Sequence, residues 1–178
     1  LPGQSPGGSV VAVSNPQQDR LRYELGMDNS GGEATGTNRY RASVEANDLL
    51  GLQEALTLSY VGSLDTNALL FAASLPWGYS TLSYLHAYSE FQSLIGDSAL
   101  LFGTSHSHTV ALNRVVARSQ RGKSSVDLSL SLREAKREIN DIELAPQRLS
   151  VLRLAYSRLQ RFGAAMPGFW TMDVGVSR

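Results

Sequence analysis

The sequence predicts an all-β chain that forms part of an antiparallel, up-and-down transmembrane β-barrel. Apolar and polar residues alternate with a period of two in successive runs, and clusters rich in Gly, Pro, Asn and Asp separate the runs. Charged residues make up 18% of the chain and hydrophobic residues 42%, which is low in charge for a soluble domain. A barrel wall gives this average, because half of each strand faces lipid and half faces a wet lumen.

The first three predicted strands lie between residues 21 and 61 and set this period. In the first strand the odd-numbered residues 21–27 are apolar and alternate without interruption with the residues at even positions 22–28, which are polar or Gly. A turn cluster at residues 28–32 follows. In the second and third strands one set of alternate residues is apolar: Tyr40, Ala42, Val44, Ala46, Leu56, Leu58 and Tyr60. The opposite set is polar: Arg39, Arg41, Ser43, Glu45, Asn47, Thr57 and Ser59.

Six further strands are predicted at residues 67–76, 80–91, 108–119, 126–133, 148–159 and from 169 onward, about nine in all. The facing of the fifth is open, because Leu82 and Tyr84 in one register compete with Leu85 and Ala87 in the other. A helix remains the alternative over residues 131–162, where helix formers are frequent. The strand interpretation is preferred, because the alternation at 126–133 runs into this region and Pro146 would interrupt a helix.

The connections also follow a pattern. Counted from the first strand, odd-numbered connections include the long polar stretches 96–107 and 140–147, whereas the even-numbered ones near residues 50–51, 77–78 and 121–122 are tight. Outer-membrane barrels have short periplasmic turns and longer outside loops. The sequence therefore predicts that the even-numbered turns are periplasmic.

Composition excludes several other classes. The 16 basic and 16 acidic residues balance, so nucleic acid is not an expected partner. The absence of Cys excludes a disulfide framework, and no run approaches the roughly 18 apolar residues of a membrane-spanning helix. Residues 1–8 lack the features of a signal peptide. We expect residues 1–19 to hold the last strand of an upstream periplasmic domain, at 9–14, and a linker, and residues 20–178 to form the partial barrel.

Several short motifs resemble those of the outer-membrane transporters of two-partner secretion, the haemolysin-activator and filamentous-haemagglutinin transporter family. The most specific stretch runs from Asp28 to Gly51, and the similarity extends from about residue 9 to the C-terminus. The residues that carry it include Asp28, Asn29, Gly32, Gly36, Gly51, Pro76 and Arg118. The resemblance implies a barrel of sixteen strands preceded by two polypeptide-transport-associated domains, so that this chain supplies about nine of the strands.

The resemblance also implies a function and its setting. The expected protein is a monomeric pore in the outer membrane of a Gram-negative bacterium, in contact with lipid and lipopolysaccharide. It captures a large secreted exoprotein, unfolded during transport, and needs neither a cofactor nor catalysis. Two departures from the family pattern stand out. The family usually has an acidic residue after the second glycine of the turn near Gly51, whereas this chain has Gln53-Glu54 there. This difference predicts that a local contact is missing. The Val-Arg-Gly-Tyr/Phe motif is absent, so we expect it beyond this segment.

The alternation assigns candidate residues to the two sides of the wall. Those expected to face lipid are Tyr40, Val44, Leu56, Leu58, Leu128 and Leu130, and Ser129 is expected on the other side. The charged residues expected in the lumen are Arg22, Glu24, Arg39, Arg41, Glu45, Asp127 and Arg133. Aromatic residues near strand ends predict interfacial girdles: Tyr23, Tyr40, Tyr60, Trp77, Tyr79 and Trp170.

Other features favour ordinary interpretations. His106 and His108 are expected to be loop residues without a third ligand, and residues 28–33 lack the spaced carboxylates of a calcium loop. No nucleotide-binding or nucleophile motif occurs. A basic zone could bind phosphate or lipid head groups, or be solvated: Arg114, Arg118, Arg121, Lys123, Arg133, Lys136 and Arg137. The competing hypotheses are a soluble all-β binding module, with its apolar face against a second sheet, and a barrel enzyme of the outer membrane.

Overall fold

The computed structural model describes residues 19–32, 36–95, 99–120, 122–162 and 166–177, and its regular structure consists of strands without helices. The predicted upstream strand at 9–14 and most of the linker lie outside the described residues. Ten strands are present: β1 Leu21–Asp28, β2 Arg39–Asn47, β3 Ala55–Gly62, β4 Thr66–Trp77, β5 Ser80–Ile95, β6 Ala99–Ser119, β7 Gly122–Ile139, β8 Ile142–Glu143, β9 Gln147–Phe162 and β10 Met166–Ser177.

All ten strands belong to one antiparallel sheet in which sequence neighbours pair. The order is β1-β2-β3-β4-β5-β6-β7-β9-β10, and the two-residue β8 pairs with the end of β7. This is the up-and-down arrangement that the alternation and the turn clusters predict. The described strands leave β1 and β10 at the two edges, so the sheet is open.

Continuous registers place alternate residues on two chemically distinct faces. One row of Cα partners crosses the sheet through Tyr23, Val44, Leu58, Phe71, His86, His108 and Leu132. The adjacent row contains Glu24, Ser43, Ser59, Leu70, Ala87, Ser107 and Arg133. We call the sides carrying these rows the apolar face and the charged face. The register also settles the fifth strand, because His86 and Tyr88 pair with residues of the apolar face.

The sheet has almost no buried apolar core. Among the described residues, Ala46 and Ala155 are the buried hydrophobic side chains, and no large side chain is fully enclosed. Leu128, Leu130 and Leu132 on the apolar face are 44%, 45% and 47% exposed. A soluble sandwich would cover such a face with a second sheet, and the described part of the chain provides none.

Two interpretations of the sequence are wrong. The long polar connection expected at 96–107 is largely strand, because β6 begins at Ala99 and pairs with β5 up to Ile95. The helical alternative over 131–162 is also wrong, since β7 and β9 pair from Gly122 with Gln160 to Ala135 with Gln147. Cross-strand pairing overrides the helix propensity of the Arg-Glu-Ala-Lys-Arg-Glu segment.

The connections define two ends of the sheet. The odd end carries the connections 29–38, 63–65, 96–98 and 140–146, and the even end carries 48–54, 78–79, 120–121 and 163–165. The expected difference in loop length is therefore smaller than the sequence predicts. The extra length at the odd end is instead in the strands β5, β6 and β7. There β7 turns back into β8 through Asn140 and Asp141, which have φ of 47° and 63°.

Candidate functional site

The charged face is the candidate functional surface, because it gathers all seven charged residues predicted for a lumen. Arg22 pairs with Glu45 across β1 and β2, and Glu24 lies two residues further along β1. Several strands away in the same sheet, Asp127 and Arg133 lie on the charged face of β7. Arg39 and Arg41 complete the group on β2. The described sheet therefore carries two charged areas, on β1–β2 and on β7.

Asp28 connects the motif residues to the first of these areas. Its carboxylate is 2.8 Å from Arg39 Nη2 and 2.6 Å from Arg41 Nη2. The Ser30 amide donates a third contact at 2.9 Å. Gly26 lies opposite Arg41, and the absence of a side chain there leaves open space beside the guanidinium. The cluster therefore joins β1, β2 and the start of their connection.

The other motif positions lie outside this cluster. Asn29, Gly32 and Gly36 are in the connection 29–38, and Gly36 has φ of 95° and approaches Leu64 of the next connection at the odd end. Gly51 has φ of 75° in the turn at 48–54. Pro76 lies inside β4, one residue before the strand ends at Trp77, and Arg118 lies near the end of β6. These positions shape turns and strand ends and do not converge on one site.

The stretch of charged face between the two charged areas is neutral. In the described strands β3, β4 and β5, the residues on this face are Ser, Thr, Ala, Val, Leu, Phe, Pro and Ile, and none of them is charged. On the second area, Asn113 Nδ2 donates to Asp127 at 2.5 Å, and Arg133 Nε donates to Ser105 at 3.2 Å. Asp127 and Arg133 are thus each hydrogen-bonded to a polar neighbour on the adjacent strand.

The turn at 48–54 corrects an expectation from the sequence. The Glu54 carboxylate accepts hydrogen bonds from the Leu50 amide at 2.6 Å and the Leu52 amide at 3.1 Å, and the residue is only 5% exposed. These amides, that of Leu50 foremost, hold the pKa of Glu54 below its ordinary value. Asp48 accepts from the Gln53 amide at 2.9 Å. The prediction that this turn lacks a carboxylate contact is therefore wrong.

The histidines were also misplaced by sequence reasoning. His106 and His108 are strand residues on the apolar face of β6, and β5 brings His86 beside them. The His86 and His108 rings are 4.4 Å apart between centroids, and Tyr84 Oη lies 2.9 Å from His108 Nδ1. Among the described residues, no three potential ligands are grouped to hold a metal ion. The sequence leaves the facing of the fifth strand open, and His86 cannot be assigned to a face without it.

A polar belt crosses the apolar face near the odd end. Tyr60 Oη donates to Asn67 at 2.6 Å, Asn67 Nδ2 donates to Glu90 at 2.7 Å, and Tyr88 Oη donates to Glu90 at 2.6 Å. The belt continues through neighbouring strands, and its members are Tyr60, Asn67, Tyr88, Glu90, His106, Glu134 and Arg148. Thr104 and Lys136, in the row of Asn67 and Glu90, are also polar. The apolar face therefore ends at this belt.

The remaining predicted residues divide between the faces. Tyr40, Val44, Leu56, Leu58, Leu128 and Leu130 share the apolar face, and Ser129 lies on the charged face. The predicted basic zone is not one patch. The registers place Arg114 and Lys136 on the apolar face and Arg118, Lys123, Arg133 and Arg137 on the charged face, whereas Arg121 lies outside the described residues. Of the predicted girdle, Trp77 ends β4 and Tyr79 lies in the following turn.

Comparison with known proteins gives a consistent result. A family model described as haemolysin secretion/activation protein ShlB/FhaC/HecB matches residues 7–178. The outer membrane transporter CdiB of Dickeya dadantii is 26% identical over 95% of the chain, which corresponds to 32% of the relative. The hemolysin transporter protein HpmB of Proteus mirabilis is 24% identical over 90% of the chain and 30% of the relative. The chain thus spans about a third of these proteins.

The solved structure of CdiB from Escherichia coli has the same fold. It superimposes with a TM-score of 0.79 at 22% identity, over 93% of this chain and 32% of that one. The described sheet is therefore a section of the wall of a transmembrane β-barrel, as the alternation and composition predict.

Proposed function

Because the chain belongs to the haemolysin secretion/activation family ShlB/FhaC/HecB, a family of outer-membrane transporters, we propose that it lines a pore for a secreted protein. It lies in the outer membrane of a Gram-negative bacterium, since its relatives are named an outer membrane transporter and a hemolysin transporter protein, and it acts in two-partner secretion. The cargo is a large exoprotein such as a haemolysin, adhesin or growth-inhibition toxin, and the role is not enzymatic. Since the chain spans about a third of these relatives, the pore itself belongs to the whole protein.

The charged face lines the lumen in this proposal, and the apolar face meets lipid. The observation that carries the assignment is the exposed apolar face, which runs across nine long strands with no covering layer in the described residues. Lipid cannot hydrogen-bond backbone groups, so the strands satisfy one another edge to edge. Charged residues on the lipid side near the midplane would be destabilising. On the described apolar face, the Asp, Glu, Lys and Arg residues lie at the belt, beyond it or at the even end.

The lumen surface suits an unfolded polypeptide. Arg and Asp or Glu side chains on β1–β2 and β7 have mixed signs, and several are already satisfied by neighbours such as Asp28 and Asn113. Between them lies the neutral stretch on β3, β4 and β5. A moving chain therefore meets a wet wall with weak, short-lived contacts and no deep well. Transport through such a wall requires no bound nucleotide or cofactor.

The odd end faces outward and the even end faces the periplasm. The two-residue turn at 78–79 supports this, as does the extension of β5, β6 and β7 beyond the belt, because outer-membrane barrels project further on the outside. The chain then enters the barrel from the periplasm, where residues 1–19 would close a polypeptide-transport-associated domain. The belt lies at the outer leaflet, in contact with lipopolysaccharide, and the pore acts as a monomer.

Deletion and complementation of the parent gene test this function. Secretion of the exoprotein encoded beside it should stop on deletion and return with the wild-type gene. It should not return when Leu58 and Leu130 on the apolar face are both replaced by Arg, whereas Ser59→Arg with Ser129→Arg should still fold and assemble. Unchanged secretion after deletion would exclude the transporter function.

A further inference from the structure

The even end of the apolar face carries a cleft that the translocation function does not use. It has a volume of about 320 Å³ and lies beside the turn at 120–121 between β6, β7 and β9. Ala117, Ser124, Tyr156, Arg158 and Gln160 line it from the apolar face. The β6–β7 register shifts between Val115 and Ala117, and such a bulge bends its strand locally.

The charged residues that line the cleft are all positive. Arg158 lines it from the apolar face, Arg118 and Lys123 line it from the charged face, and no carboxylate lines it. Arg114 lies one row away on the apolar face, opposite Val126. Among the described residues, ion pairs join Asp28 to two arginines and Glu134 to Arg148. The four cations near the cleft belong to none of these pairs. On the apolar face, the charge of Arg114 and Arg158 is therefore available to an anion from outside the described chain.

The surroundings specify the kind of anion. Tyr156 Oη donates to Ser124 Oγ at 3.1 Å at the cleft wall, which adds hydroxyl groups beside the cations. The next row on the same face is Leu112, Leu128 and Leu154, all of them exposed. Trp77, 84% exposed, ends β4 in the row of Arg114, as interfacial aromatic residues do. A ligand with an anionic head and apolar chains matches this order.

We propose that this cleft binds the phosphate of an anionic phospholipid in the periplasmic leaflet, with the acyl chains over the leucine row. Arg158 and Arg114 hold the phosphate, because guanidinium groups match phosphate geometry and basic pockets at the membrane surface bind anionic lipids. The inference rests on the proposed function only for the sidedness of the sheet. Lipid binding can be measured without secretion, so the two can fail separately.

Retention of phosphatidylglycerol by the full-length parent protein, purified in mild detergent and measured by native mass spectrometry, tests the proposal. Arg158→Gln and Arg114→Gln should each lower retention about fivefold, in line with the contribution of one basic side chain at an anionic surface. Arg158→Lys should retain most of it. The matched control is Arg148→Gln, on the same face of β9 at its other end, which should leave retention unchanged.

Several results would overturn the proposal. They are equal losses for Arg148→Gln and Arg158→Gln, or no loss in either cleft variant. A third is loss of lipid A retention in place of phosphatidylglycerol, which would place this end in the outer leaflet. Heat-modifiable migration in gels confirms that each variant is folded. If Arg158→Gln does not fold, Arg114→Gln and the salt dependence of wild-type retention decide, because binding by charge weakens with ionic strength.

Discussion

Glu54 organises a turn that has no apolar core to hold it. Both carboxylate oxygens accept backbone amides, from Leu50 and Leu52, and the folded-state pKa therefore lies below the unfolded value of about 4.3. The stabilisation is fully present above the unfolded pKa and is lost as pH falls through the folded pKa. This carboxylate makes the turn sensitive to acid.

We predict that Glu54→Gln destabilises the parent protein near neutral pH and that the difference from wild type shrinks as the pH is lowered toward about 3. The amide keeps one acceptor oxygen but loses the charge and the second acceptor. Guanidinium unfolding in lipid vesicles, followed by tryptophan fluorescence across pH, measures this. A constant difference at every pH would contradict the prediction.

Gly103 permits a close contact on the charged face. A Cβ at this position would overlap the Phe91 ring, which lies over the glycine in the paired strand. Gly103→Ala should therefore displace the ring and destabilise the protein by about 1 to 3 kcal/mol. Gly26→Ala on the same face is the matched control, since its Cβ would come no nearer than 3.9 Å to Arg41.

Unfolding free energies of Gly103→Ala, Gly26→Ala, Phe91→Ala and the double variant Gly103→Ala with Phe91→Ala measure this effect. The double variant should be destabilised by less than the sum of its single changes, because removing the ring removes the overlap. Equal effects of Gly103→Ala and Gly26→Ala would show that the contact has no energetic role.

At the scale of elements, the two faces make different energetic demands. Replacing Leu58 or Leu130 with Arg, near the bilayer midplane, should destabilise the folded barrel by about 2 to 4 kcal/mol. The same change at Ser59 or Ser129, one residue away on the charged face, should have little effect because the lumen is wet. Folding titrations of the full-length protein into lipid vesicles measure both. Similar losses of folding free energy on the two faces would instead favour the soluble all-β binding module, in which one face is buried against a second sheet.

The strand pattern explains how much could be predicted. Strands β1, β2 and β3 were predicted closely because lipid and water impose opposite chemistry on alternate residues. The start of β6 was missed by nine residues, since beyond His106 the apolar face also becomes polar. The ladder continues there, but the alternation that reveals it is lost. The helical alternative in β7 has the same cause, because alternation is also lost among its helix formers.

The candidate site divides in a similar way. Sequence parity was sufficient to put seven charged residues on one face, because a period of two fixes the side of every residue once one is known. It could not supply the bonding of Asp28 to two arginines or the His86–His108 contact, which depend on register between strands. The Glu54 turn was missed because Asp48 and Gln53 adopt positive φ, at 53° and 58°, which residue type alone does not predict.

At the scale of the whole molecule, nine long strands form one section of a larger wall. The described sheet is open, with β1 and β10 at its edges, and the relatives are about three times longer. Unpaired edges cannot persist in lipid. We therefore predict that the 178-residue chain alone does not form a heat-modifiable barrel in vesicles, whereas the full-length parent does. Stable insertion of the isolated chain as a monomer would contradict this.

Cysteine accessibility in the full-length protein tests the central claim most directly, because this chain contains no native Cys. Single cysteines would replace Tyr40, Val44, Leu56, Leu58, Leu128 and Leu130 on the apolar face, and Arg39, Arg41, Asp127 and Ser129 on the charged face. A membrane-impermeant thiol reagent applied to the protein in the outer membrane should label the second set and spare the first. Equal labelling of both sets would contradict the assignment of the charged face to the lumen.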